Sequence, residues 1–135
     1  MSESAGQTSN KPRGELAIRQ LAMPANLNAG GNIFGGWLLS QMDLAGGITA
    51  ADRARGRVAT VAVTAMEFHQ PVFVGDVLCC YAAVSRVGNT SITIHVQAWV
   101  RRRNGGEVDE IKVTEGDFVF VALDQNGDKR HIPKE

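Results

Sequence analysis

The chain has 135 residues, of which 44% are hydrophobic and 21% charged, with 14 Lys and Arg balanced by 14 Asp and Glu. These are the values of a single soluble globular domain, and a net charge of zero argues against a nucleic-acid binder held by a broad basic field. The longest apolar run, Val77 to Val84, has eight residues and Phe118 to Leu123 has six, far below the roughly 20 of a spanning helix, so no membrane association is expected. No apolar segment follows Met1, which fits a cytoplasmic protein without a secretory signal. The only cysteines, Cys79 and Cys80, are adjacent, so they offer neither a disulfide framework nor a CxxC metal spacing. They read as two reduced thiols in a strand. A domain this small buries only about two-thirds of its unfolded surface, and its zero charge protects it poorly against self-association. A homo-oligomer is therefore expected.

Residues 1–13 have almost nothing to bury and read as a disordered tail; residues 14–135 read as one domain. Glu15 to Met23 is a candidate first strand, with Leu16, Ile18 and Leu21 as its apolar members. Pro24 to Asn32 is a loop, and Asn32 is a candidate N-cap. Leu38, Met42, Ala45 and Ile48 recur at helical spacing, which predicts a helix from Gly35 to Ala54, closed by Arg53, Arg55 and Gly56. After Gly56 the period changes to two. Val58 to His69 is apolar on nearly both faces, which predicts a central strand covered on both sides. Val77 to Val87 is a further strand, and Gly88-Asn89 a two-residue hairpin turn. From Ser91 to Arg102, Ile92, Ile94, Val96, Ala98 and Val100 face one way; Thr93, His95, Gln97, Trp99 and Arg101 face the other. Glu107 to Leu123 is the last strand, with a bulge expected near Gly116, and the chain from Asp124 reads as loose. The expected architecture is α+β: a five-stranded antiparallel sheet wrapped around one long central helix, with edge strands that need a partner chain.

Several residues stand out for chemistry. Each internal helix glycine costs about 1 kcal/mol relative to alanine, so the pair Gly46-Gly47 needs a reason, and close backbone packing is the simplest. Gly35-Gly36 opens the helix, where unpaired N–H groups and the positive end of the dipole can polarise an oxygen; a flexible helix start is the plain alternative. Asp43 follows Gly36 by two turns, about 10 Å along nearly the same side. Among Leu39, Met42, Leu44 and Ala45 it is either a general base or one member of a wet face with Ser40 and Gln41. Asn28 can hold a water or simply shape its loop. Arg57, Arg86 and the run Arg101 to Arg103 are possible phosphate contacts, the run equally a solvated strand end. His69 and His95 read as strand residues away from the helix start; they show no ligand spacing and no metal is expected. Asp124 to Asp128 reads as a turn rather than a calcium loop.

Taken together, Asn28-x-x-Gly31-x-Ile33-Phe34-Gly35-Gly36-Trp37 and Gln41-Met42-Asp43 resemble the YciA-type acyl-CoA thioesterases of the hotdog fold. The resemblance continues through Gly56-Arg57-Val58-x-Thr60-Val61-Ala62-Val63, Pro71-Val72-x-Val74-Gly75-Asp76-Val77, Val87-Gly88-x-x-Ser91-Ile92 and Ile132-Pro133. It runs from about Glu15 to Pro133 in order. Members often carry an acidic residue where Asn32 stands. The resemblance implies hydrolysis of acyl-CoA to a free acid and CoA, with no cofactor or metal. It also implies dimers joined sheet edge to sheet edge, active sites between protomers, and commonly a hexamer. By position it implies that Asp43 is the catalytic carboxylate and that Asn28 completes the site from the partner chain. Gly35 and Gly36 would polarise the thioester carbonyl. Thr60, Val61 and the hairpin Gly88 to Ser91, with Thr90, would line the CoA tunnel, and Arg57 or Arg86 are suggested for the phosphates. Asp43 would act as general base on water or attack directly to give an anhydride; the sequence leaves both open. A 3-hydroxyacyl thioester dehydratase would need a His that Asn28 to Gly47 lacks, and a non-catalytic acyl-CoA sensor would need a further domain.

Overall fold

The computed structural model describes residues 11–135; most of the expected tail, residues 1–10, lies outside them. Strand β1 spans Glu15–Leu21, helix α1 Gly35–Ala54, and strands β2 to β5 span Val58–Phe68, Val77–Val87, Ser91–Asn104 and Glu107–Ala122. The strands form one antiparallel sheet in the order β1-β3-β4-β5-β2. Helix α1 packs against all five strands, so the expected sheet wrapped around one long helix is the observed architecture. Among the described residues no helix is long and apolar enough to cross a membrane.

The pleat of β4 builds the core. Ile92, Ile94, Val96, Ala98 and Val100 are fully buried and meet Leu38, Met42 and Ala45 of α1, with Leu78, Cys80, Phe118 and Phe120 from the neighbouring strands. Gly46 earns its place here. A Cβ on it would lie 3.1 Å from the Phe120 ring and 3.3 Å from Val96 Cγ2, so the helix backbone and the ring meet at contact distance. Burial pushes the Cys80 thiol up to about 12 and raises that of Cys79, so both are inert thiols.

Five sequence expectations need correction. Strand β2 is not central: among the described residues it pairs with β5 alone and forms an edge, with Val61 56% and Phe68 58% exposed. Its apolar residues on both faces reflect an edge that one chain leaves uncovered. Ile48 does not join the core face; it is exposed beside Leu44, because the buried stripe drifts to Gly46, Ala50 and Ala54. The N-cap is Phe34, in extended conformation and without a side-chain cap, because the helix starts at Gly35 and Asn32 lies two residues before the cap position. Gly116 pairs in register with Val96; the bulge is in β2, where Ala65 and Met66, one residue too many, lie opposite Gly116. Ala65 takes a left-handed φ of 52°, and a Cβ on Gly116 would lie 2.9 Å from Met66 Sδ. A second irregularity in β5 falls at Val113.

The chain end is not loose either. Asp124 Oδ1 accepts the N–H groups of Asn126 (2.8 Å) and Asp128 (3.0 Å), which forms the expected turn. Beyond it Ile132 is buried in the core, its N–H donates to Asn89 O at 2.8 Å, and Arg53 Nη1 donates to Pro133 O at 2.7 Å. The segment straps the β3–β4 hairpin to the end of α1.

Candidate active site

The first turn of α1 begins at Gly35 immediately after the extended Phe34, so the leading N–H groups of the helix open toward the preceding loop. That loop is organised by Asn28. Its Oδ1 accepts the N–H groups of Gly30 (2.8 Å) and Asn32 (3.1 Å), and its own N–H donates to Asn32 O at 2.6 Å. With Oδ1 engaged twice, the hydrogen-bonding capacity left to the side chain is the Nδ2 donor. Asn28, Gly35, Ile33, Leu38, Phe68 and Val72 line a pocket of about 310 Å³ at the helix start, and so does His69, which the sequence placed away from it; the residue follows the end of β2, where the chain turns back to the helix. Two exposed aromatic rings flank it: a Cβ on Gly36 would lie 3.3 Å from the Phe34 ring, and one on Gly35 3.8 Å from the Phe68 ring. A side chain at Gly36 would press on the Phe34 ring, whereas one at Gly35 would meet Phe68 at ordinary contact distance. The floor is fixed by Ile33 N–H to Val72 O at 3.0 Å.

Asp43 lies two turns along α1, half-buried, in a separate open groove of about 470 Å³ shared with Leu44, Gly47, Ile48, Arg57, Thr60 and Phe120. Thr60 on β2 donates its hydroxyl to Asp43 Oδ1 at 2.6 Å, which leaves Oδ2 open to the groove. Thr60 was expected at the CoA tunnel; its tie to the carboxylate joins residues 17 apart and leaves no local sequence signal. Val61 follows, exposed, at the register shift between Thr60 and Ala62. Arg57 joins Asp43 in the groove. Arg86 does not: it is exposed on β3 after a register shift past Val84. The hairpin closes through Gly88 N–H to Ser91 O at 2.7 Å, with Thr90 O accepting the Ala122 N–H at 2.9 Å. Gly88 lines a third cleft of about 470 Å³ with Arg53, Asn89 and the C-terminal strap. Within one chain, then, the fold brings Asp43 to Thr60 and Arg57, and Asn28 to Gly35, but leaves the two groups in different grooves.

The outer face of the sheet carries a polar cluster. His95 lies between Asp117 Oδ1 (2.8 Å, to Nδ1) and Glu115 Oε1 (3.1 Å, to Nε2). Burial alone would raise the Glu115 carboxyl, but Lys112, His95 and Gln97 outweigh it and hold it at about 2. Glu67, His69 and Glu115 place ligand-type atoms within 4.8 Å of one another. The Glu115 oxygen nearest His69, however, already accepts the Lys112 ammonium at 2.9 Å, so the trio is an ion-paired cluster.

The sequence profile of the thioesterase superfamily matches residues 30–106, which contain the helix start, Asp43, Thr60 and the hairpin. The chain belongs to the thioesterase superfamily. It is 50% identical over 125 residues to the acyl-CoA thioester hydrolase YciA of Salmonella typhimurium, covering 92% of this chain and 94% of that one. Among solved structures it is similar to a hexameric thioesterase of Yersinia pestis, at 50% identity, TM-score 0.87 and coverage of 93% and 100%. It is also similar to a hexameric hotdog-fold thioesterase of Campylobacter jejuni, at 41% identity, TM-score 0.85 and coverage of 89% and 91%. The helix wrapped by five antiparallel strands is the hotdog fold.

Proposed function

We propose that this superfamily member hydrolyses acyl-CoA thioesters to free acid and CoA, in sites shared between two copies of residues 14–135. The observation that carries the reading is the position of two half-sites at opposite ends of β2, the strand at the edge of the sheet. Thr60, near the start of β2, holds Asp43; Phe68, at its end, lies over Gly35 and the Asn28 pocket. Antiparallel pairing of β2 with β2 of a second copy about a two-fold axis sets the Thr60 end of one strand against the Phe68 end of the other. The Asp43 groove of one copy then faces the Asn28–Gly36 donors of the second. The exposed Leu44, Ile48, Val61 and Val63 around Asp43 are covered in the same step. The Yersinia and Campylobacter thioesterases are hexamers, and we extend the dimer here to a trimer of dimers.

The chemistry follows from the free atoms. The thioester oxygen accepts from the helix-start N–H of Gly36, beside Gly35; one such donor lowers the barrier by about 3 kcal/mol. Asn28 contributes its remaining donor, Nδ2, to the water or the carbonyl. Asp43 takes a proton from water at Oδ2 while Thr60 holds Oδ1, a contribution of about 10² to 10⁴ in rate. The water oxygen bonds to the acyl carbon, the C–S bond breaks, and the proton leaves with the CoA thiolate. Water is the only co-reactant, and no cofactor enters. Thr60, Val61, Gly88, Thr90 and Ser91 line the CoA path in this reading, with Arg57, already in the groove, as the nearer phosphate contact and Arg86 the more remote. The two buried thiols and the charge-balanced surface fit a cytoplasmic enzyme that acts on neither nucleic acid nor membrane.

The test is thiol release over a series of acyl-CoA chain lengths. Asp43→Asn should lower turnover by about a hundredfold or more and leave CoA binding intact. Full turnover in that variant rejects the role of Asp43, and acyl-CoA binding without thiol release by the native chain rejects the activity. A single turnover in ¹⁸O-water separates the two routes, because label in the Asp43 carboxylate marks an anhydride.

A further inference from the structure

Three consecutive arginines end β4, and the pleat divides them. Arg102 turns to one side and grips Asp76 with Nε (3.0 Å) and Nη2 (2.8 Å). Arg101 and Arg103 turn to the other. There they meet Arg19, which reaches across from β1. Arg19 pairs with Cys79 on β3 and Arg101 with Val77, so the two guanidiniums flank the same short stretch of β3 from either side. Both are close enough to pull the Cys79 thiol downward against the larger effect of its burial. Arg19, Arg101, Arg103, Val77, Val108 and the backbone at Gly75 enclose a recess of about 180 Å³. Among the described residues one carboxylate pairs with this group: Glu110 accepts from Arg101 Nη1 at 2.6 Å, which uses one of five donors on that side chain and fixes its direction. Arg19 and Arg103 have no hydrogen bond or ion pair among the described residues. Three guanidiniums against one carboxylate, in a chain whose total charge is zero, make this a local site of unspent positive charge.

We propose that this recess binds a phosphate-type dianion, either free phosphate or the phosphoryl group of a monoester. Guanidinium forks match the tetrahedral oxygens of such a group and hold it by charge-assisted hydrogen bonds. Three forks converging from two strands supply more donors than one phosphoryl group can use, and Val77 and Val108 form an apolar rim on which the carbon body of an ester can rest. The recess lies at the start of β3, whereas the hairpin proposed for CoA lies at its end, about 30 Å away along an extended strand. The site is therefore separate from the thioesterase reading and stands or falls without it.

The test is calorimetric titration of the full chain with inorganic phosphate, with chloride holding ionic strength constant, alongside NMR of the arginine Nε–Hε signals. Saturable binding is expected at about millimolar phosphate or below, with shifts confined to Arg19, Arg101 and Arg103. Arg19→Ala and Arg103→Ala should each weaken it by about tenfold, the loss of one charge-assisted contact. Lys129→Ala, which removes the same charge in the turn beyond the end of β5, should leave it unchanged. Repeating the titration with glycerol 3-phosphate separates the sources: equal or tighter binding assigns a monoester, and exclusion of the ester with phosphate retained assigns the free ion. Absence of saturation at about 10 mM phosphate, or equal losses in the Lys129 and arginine variants, overturns the proposal.

Discussion

Removing the Asp76 carboxylate should loosen the wall of the Asn28 pocket as well as the fold. Asp76 is 3% exposed and accepts three hydrogen bonds: Arg102 Nε at 3.0 Å, Arg102 Nη2 at 2.8 Å and the Phe73 N–H at 2.9 Å. The bond to Asp76 raises the affinity of the guanidinium for its proton, and the same guanidinium stacks 4.5 Å from the Phe73 ring and donates to Pro71 O at 3.2 Å. The pin thus fixes Pro71 to Asp76 against β4, and Pro71 and Val72 wall the pocket beside Asn28. Breaking a buried pair by deleting one partner costs about 3 to 5 kcal/mol. The Arg102 side chain is 28% exposed and finds water once unpaired, so Asp76→Ala should cost about 3 kcal/mol, the lower end of that range. In a domain of this size that is a fall of roughly 10 °C in Tm. Urea unfolding at one fixed protein concentration, for Asp76→Ala, Arg102→Ala and the double variant, gives the cycle; a coupling of about 2 kcal/mol is expected. Additive single losses, or a loss below about 1 kcal/mol for Asp76→Ala, would refute the claim that the pair is held as a buried unit.

Gly46→Ala gains about 1 kcal/mol of helix propensity but drives its Cβ to 3.1 Å from the Phe120 ring. It should therefore destabilise by about 1 kcal/mol net, a loss measurable by urea titration and relieved by Phe120→Leu. Glu115 ionises in the folded chain at about 2 rather than its ordinary 4.5, so the folded state binds its proton less readily. Its contribution is complete above about pH 4.5 and is lost as the pH falls toward 2. Unfolding midpoints between pH 6 and pH 2.5, both convenient settings of about that value, should fall by the equivalent of about 1 to 2 kcal/mol, and Glu115→Gln should flatten the fall. Thr60→Val deletes the hydroxyl on Asp43 and should lower kcat about tenfold with little change in KM, while Thr60→Ser should restore it; equal rates for all three chains would remove Thr60 from the site.

Much of the fold is legible in the residues because one periodicity replaces another at Gly56, and the alternation of Ile92 to Val100 assigns the two faces of the central strand correctly. What the pattern does not encode is pairing. An apolar run such as Val58 to Phe68 looks the same whether covered by its own sheet or left for another chain, and strand order alone decides which. Ile132 is a single apolar residue in a polar stretch, too little for periodicity to register, yet its core contact and the hydrogen bonds to Asn89 O and Pro133 O seat the strap. At the candidate site, Asp43, Asn28 and the glycines stand out because carboxylate, amide and helix start are unusual neighbours. The Thr60 tie, the engaged Oδ1 of Asn28 and the flanking Phe34 and Phe68 rings do not, because they arise from contacts between distant segments. The division of Arg101 to Arg103 follows from the strand pleat, but the partners on each side, Asp76 and Arg19, come only from tertiary structure.

The composition of β2 has a bearing on handling as well as on assembly. Natural sheets blunt their free edges with lysine, proline or a bulge; β2 has no lysine or proline, one glutamate, and two register shifts, at Val61 and at Ala65. Its bare amide ladder and greasy flanks are a template for indiscriminate strand addition. Chains separated by dilution or mild denaturant are accordingly expected to clump before they persist as soluble monomers, so substitutions along this edge will first be noticed as poor yield from expression.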